Sequence, residues 1–156
     1  MKIAALFLAV AALAFLGGRL SVSPAPVPDA FTERQPLHRD DLLRRVNEER
    51  LKAGVRPLAT RLSLDAFAAA RLEAVAANRE ASGRCTHEGL GEAAEAAGLR
   101  QGVSENLVCD ADSPDAAVAA WLASPTHRDT MLGEGYRYLG VATDGAHAAL
   151  EFVPAL

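Results

Sequence analysis

Strand-period patterning closes this chain. Tyr138 to Thr143 and Ala146 to Val153 flank Asp144-Gly145, each rich in β-branched, aromatic and small apolar residues. Asp-Gly is a preferred pair for a two-residue hairpin loop of type I′, because both of its residues accept a positive φ. The two stretches predict an antiparallel hairpin, and Ser104 to Cys109 predicts a shorter third strand. Whatever precedes the hairpin has to cover its apolar faces.

The preceding residues follow helical periods instead. Asp40 to Ala53 carries Leu42, Leu43, Val46 and Leu51 at near-helical spacing, with Asp40 and Asp41 at the positive end of the dipole and Gly54 beyond the last turn. Asn47 and Arg50 lie close to that stripe and are expected to hydrogen-bond a neighbouring loop. Ser63 is placed to cap a second helix, in which Leu64, Phe67, Ala68, Leu72, Val75 and Ala76 form one face and which ends near Ala81. A short third helix, Glu92 to Ala97, stops at Gly98. Ser113-Pro114-Asp115 combines a capping hydroxyl, a proline at the first helical position and a favourable carboxylate. Ser124-Pro125-Thr126 repeats that start, with Ser124 as the cap. The chain must therefore turn a corner after Val118, Trp121 and Leu122, which point inward, and place His127 at the start of a helix holding Met131 and Leu132. These patterns give an α+β domain in which helices pack on a small antiparallel sheet.

The amino-terminal residues belong to a different class. Met1-Lys2 precedes an unbroken apolar run from Ile3 to Leu16, shorter than the ~20 residues of a membrane span and suited to a secretory signal. Residues 1–19 are therefore a signal peptide or an uncleaved anchor, the latter tethering the protein to a membrane through residues 3–16. Residues 20–38, with Pro24, Pro26 and Pro28, form an extended linker, and 39–156 the domain. The expected location is extracytoplasmic, secreted or periplasmic. A chain of 156 residues with a formal charge of −4 has room for one domain and no basic footprint for nucleic acid. Two cysteines exported to an oxidising compartment pair more often than they ligate, so Cys85 and Cys109 are expected to form a disulfide worth about 3 kcal/mol in the chain-entropy account. The competing reading is a Cys nucleophile assisted by His87, for which no residue marks a lowered thiol pKa.

Of four histidines, His38 lies beside the linker and is expected to be solvated, and His147 occupies one face of a strand. His87 and His127, with Glu105 between them in sequence, are the residue types of a divalent-metal site, but their spacing is non-local and does not itself bring them together. The common hydrolase signatures fail. His87-Glu88 lacks a second histidine four residues on, Gly102 to Asn106 lacks the second glycine of a nucleophile elbow, and there is no phosphate-binding glycine loop.

Five segments in order nonetheless resemble the CAP superfamily of cysteine-rich secretory, antigen 5 and pathogenesis-related proteins, in particular its bacterial SCP-like branch. They are Val46-Asn47-Glu48-Glu49-Arg50, Cys85-Thr86-His87, Ser104-Glu105-Asn106-Leu107, Trp121 to Arg128, and Leu139-Gly140-Val141. The resemblance covers about residues 40 to 153 and implies a three-layer α-β-α sandwich with a cleft where His87, Glu105, Asn106 and His127 converge. Carried over residue by residue, it makes His87, His127 and Glu105 metal ligands, with an open fourth position for a divalent ion such as zinc. Many animal members have a second carboxylate three residues after the tryptophan, where this chain has Ser124. The same cleft can also be read as a hydrogen-bonded network, in which Glu105 and Asn106 anchor backbone and His127 fixes the helix corner. Asn47, Arg50, Trp121, Ser124 and Arg128 are expected to be structural, Arg128 by pairing with a carboxylate.

The functional expectation is a monomeric, non-enzymatic binding module that requires no cofactor and engages a lipid, an envelope component or a protein. The alternative is a metal-assisted, peptidase-like hydrolase using His87, Glu105 and His127, for which the missing carboxylate leaves no evident base. No catalytic residue is assigned. A third possibility is a structural envelope protein with a vestigial cleft.

Overall fold

The computed structural model describes residues 34–155, so the signal or anchor segment, linker residues 20–33 and Leu156 lie outside the described residues. In chain order the elements are α1 (Arg39–Lys52), β1 (Ala59–Thr60), α2 (Leu62–Ser82), α3 (Leu90–Ala96), β2 (Ser104–Val108), α4 (Pro114–Ala123), α5 (Pro125–Leu132), β3 (Tyr136–Asp144) and β4 (His147–Pro154). The sheet order is β1-β3-β4-β2. The hairpin β3–β4 and the pair β2–β4 are antiparallel, while two-residue β1 adds a parallel edge to β3. No helix among the described residues is long and apolar enough to cross a membrane.

Strand alternation sends the two faces of this sheet to different helices. Leu139, Val141, Ala148, Leu150 and Phe152 face one way, into a core shared with Leu42, Val46, Val118, Trp121 and Met131 from α1, α4 and α5. Leu107 and Ala149 face the other way, against Leu72 and Val75 of α2. The result is three layers. Gly140 is what lets α2 lie close: a Cβ there would stand 2.3 Å from the Leu64 carbonyl oxygen, so no side chain fits without moving helix from sheet. Asp65 stitches the same region, its Oδ1 accepting from the Val141 N–H at 3.0 Å and its Oδ2 from the Arg39 guanidinium at 2.8 Å.

Several local expectations shift in the structure. The buried stripe of α1 is Leu42, Val46 and Arg50, spaced by four, and Leu51 lies one position off it and is 60% exposed. Helix α2 begins one residue before Ser63, at Leu62, with Arg61 as N-cap; Ser63 lies inside the first turn and does not cap. Asp144 pairs with His147, so the hairpin loop is Gly145-Ala146 rather than Asp144-Gly145, and only Gly145 takes a positive φ, at 57°. A two-residue loop with glycine leading needs that conformation once, and the resulting register shift of two leaves every side chain on its expected face. Residues 34–38, read as the end of the linker, lie against the domain: Leu37 is buried and its N–H donates to the Gly145 carbonyl at 2.7 Å.

Candidate functional site

The site forms where three segments meet at the β2 edge. Helix α2 ends at Gly83, whose φ of 71° provides a left-handed cap, and the chain then runs through Cys85 to His87. A disulfide from Cys85 to Cys109, with Cα atoms 6.4 Å apart, ties this loop to the residue that follows β2. From the opposite layer, the α4–α5 corner delivers His127. The Ser113 hydroxyl starts α4 by accepting from the Ala116 N–H at 3.1 Å. Ser124 serves the corner through its backbone instead. Its N–H donates to Ala120 and Trp121, its carbonyl accepts from Arg128, and its hydroxyl makes no capping bond, because one residue ends α4 and begins α5.

His87 and His127 come together, with ring centroids 5.8 Å apart and planes inclined by 48°. His87 Nδ1 lies 2.9 Å from Glu105 Oε1. A carboxylate only accepts, so Nδ1 carries the hydrogen and the second nitrogen of this half-exposed ring is left without a protein partner among the described residues. Burial and the neighbouring His87 push the His127 pKa down, favouring its neutral form. Asn106 is fully buried and donates to the His127 carbonyl at 2.9 Å, fixing the helix corner against β2. Trp121 is buried, and its indole N–H donates to the Leu107 carbonyl at 2.9 Å, holding α4 to the same strand.

Beneath the histidines lies a cluster in which Arg71 and Glu151 join Glu105. Arg71, 2% exposed, reaches across from α2 and clamps Glu105 at both oxygens, Nε to Oε2 at 2.9 Å and one terminal nitrogen to Oε1 at 3.2 Å. Glu151 stands directly opposite Glu105 in the β2–β4 ladder, is fully buried, and receives no N–H or hydroxyl donor at either oxygen. One guanidinium cannot balance two carboxylates in a buried space, so one of the acids keeps its proton. Burial, with Glu105 beside it, pushes Glu151 up to about 10. Burial alone would raise Glu105 as well, but hydrogen bonds from His87, Arg71 and the Glu151 acid outweigh it and hold Glu105 at about 2.

This arrangement decides what the nominated metal ligands offer. The carboxylate of Glu105 is already committed to Arg71 and His87, so it is not free as a third ligand as placed. Among the described residues no three His, Cys, Asp or Glu side chains are grouped to hold a metal ion. What remains is a pair of imidazoles, and the three-ligand arrangement does not fit.

Arg71 and Glu151 were not singled out in the sequence. Arg71 could have been, since it falls three residues after Ala68 and four before Val75 on the apolar stripe of α2, where a charge demands a partner. Glu151 alternates out of phase with Leu150 and Phe152 and reads as solvent-facing until α2 is known to cover that face. The structural residues divide differently. Asn47 exchanges both amide bonds with the backbone of Leu58, at 3.0 and 2.8 Å. Arg50 is fully buried and donates to the carbonyls of Arg56, Met131 and Gly133. Arg128, expected to meet a carboxylate, is exposed and forms no ion pair among the described residues; one helical step of about 100° turns it away from the side of His127. His38 is exposed, and His147 joins a separate cluster with Arg79 and Asp110.

Residues 43–149 match the cysteine-rich secretory protein family. No curated protein matches the sequence. Among solved structures, a cysteine-rich secretory protein from Staphylococcus aureus is similar, with a TM-score of 0.66 at 19% identity, over 75% of this chain and 38% of that one. An extracellular protein containing an SCP domain from Bacillus anthracis gives a TM-score of 0.65 at 22% identity, over 74% and 40%. An outer surface protein from Borrelia burgdorferi gives 0.57 at 16%, over 78% and 98%. The chain thus spans about two fifths of the first two proteins and nearly all of the third, and at these identities the likeness is one of fold.

Proposed function

Because this chain belongs to the cysteine-rich secretory protein (CAP) family, we propose that it is an extracytoplasmic binding module that engages an envelope lipid through the cleft at His87 and His127. The extracellular and outer-surface descriptions of the similar structures support the location, together with the apolar run from Ile3 to Leu16. One observation carries the preference for binding over hydrolysis. Glu105, the carboxylate beside His87, is clamped at both oxygens by Arg71 and hydrogen-bonded by His87, which holds it far below the range a general base needs. The half-exposed His87 ring and the partly buried His127 ring beside it present hydrogen-bonding groups over the buried Glu105–Arg71 pair, which suits recognition of a polar headgroup.

Phosphatidylglycerol vesicles titrated into the full chain, with His87→Ala and His127→Ala alongside, test this reading. Saturable binding that falls at least tenfold in both variants, without turnover of peptide or ester substrates, is expected. Turnover that both substitutions abolish would establish the hydrolase instead, and vesicle binding indifferent to either histidine would remove the cleft from the function.

A further inference from the structure

A second concavity lies between α2 and the β3–β4 turn, with a volume of about 430 Å³ and none of the cleft residues in its lining. Leu72, Val75 and Ala76 form an apolar wall, and Cys109 of the disulfide adds a polarisable sulfur. The charged residues at this cavity are not alike. Arg79 is neutralised where it stands, with one terminal nitrogen against the Asp110 carboxylate and the other 3.2 Å from His147 Nε2. Glu80 and Asp144 also line the cavity, and neither makes an ion pair or side-chain hydrogen bond among the described residues. With Arg79 matched by Asp110, two uncompensated carboxylates remain beside an apolar wall.

His147 is held by the protein itself, its Nδ1 accepting from the Asp110 N–H at 3.2 Å and its Nε2 lying 3.2 Å from Arg79. An apolar surface of this size with a few polar groups at its margin has the form of a small-molecule site. We propose that this cavity binds a small organic cation bearing a short apolar chain, the chain against Leu72, Val75 and Ala76 and the cationic head between Glu80 and Asp144. The site is independent of the His87/His127 cleft and of the reading given to it.

Hexyltrimethylammonium, titrated into the full chain and followed by the Val75 methyl and His147 ring resonances, tests the assignment, with hexanesulfonate as the anionic control. Saturable shifts with the cation and none with the sulfonate are expected. Ala76 is exposed, and Ala76→Trp should fill the cavity and abolish the shifts. The surface double variant Glu80→Gln/Asp144→Asn, which leaves the apolar wall intact, should weaken binding by tenfold or more, at about fivefold for each carboxylate. Equal or tighter binding of the sulfonate, retention of the shifts in Ala76→Trp, or unchanged affinity in the double variant would each overturn the proposal.

Discussion

Replacing Glu151 by glutamine should stabilise this protein, by an amount that grows with pH. The carboxyl is fully buried and faces Glu105, which with burial raises its pKa to about 10, whereas an unfolded glutamate titrates near 4.3. The native state therefore keeps a proton that the unfolded state releases. A raised native pKa gives a contribution that is complete below about pH 4 and is lost as pH rises toward the native value. The loss is about 1.4 kcal/mol per pH unit above the unfolded value, or roughly 4 kcal/mol by pH 7. Glutamine keeps the shape and one donor without the proton equilibrium. Glu105, held at about 2, is ionised in both states above pH 5 and adds no slope there. Urea unfolding of both proteins at pH 5, 6, 7 and 8 reads the effect. The gap in favour of Glu151→Gln should widen by about 1.4 kcal/mol per pH unit. Parallel stability profiles from pH 5 to 8, or a variant weaker than wild type at pH 8, would refute the shared-proton account.

Other perturbations follow from the same contacts. Arg71→Met leaves Glu105 as a buried carboxylate without its cation and should cost about 3–5 kcal/mol in denaturant unfolding at pH 7. Cys85→Ser/Cys109→Ser should lose about 3 kcal/mol and, in NMR spectra, the coupling between the His87 ring and Glu105, since the disulfide holds that loop to the end of β2. Gly140→Ala would place a methyl against the Leu64 carbonyl oxygen; a loss of about 3 kcal/mol, read from the unfolding midpoint, is expected.

How much of this was legible in the residues depended on range. Gly54, Gly98 and the Ser113-Pro114 start mark helix boundaries through bonds within one turn, and the observed elements lie within about two residues of them. The hairpin was legible for the same reason, and its loop moved only because Gly145 alone needs a positive φ. Cys85 and Cys109 could be paired because the expected export would leave two thiols few alternatives, and the structure joins them. Leu51 was misplaced because near-helical spacing does not distinguish the buried stripe from the residue beside it, and a buried Arg50 occupied the stripe instead. The meeting of His87, Glu105 and His127 was expected only from resemblance to a family. Nothing in their spacing implies it, since they come from three segments joined through a sheet edge. The use of Glu105 could not be read at all without its partners. Arg71 comes from α2 and Glu151 from β4, and only the stacking of α2 on that sheet face turns three separate charged residues into one buried group.

The state of Glu105 is the hinge of the functional reading, and carbon-13 titration of its side-chain carboxyl in the full chain measures it directly. The account predicts a carboxylate that stays ionised down to about pH 3, beside a Glu151 carboxyl still protonated at pH 7. A Glu105 that titrates between pH 5 and 7, as an acid–base catalyst would, contradicts it and returns the cleft to chemistry.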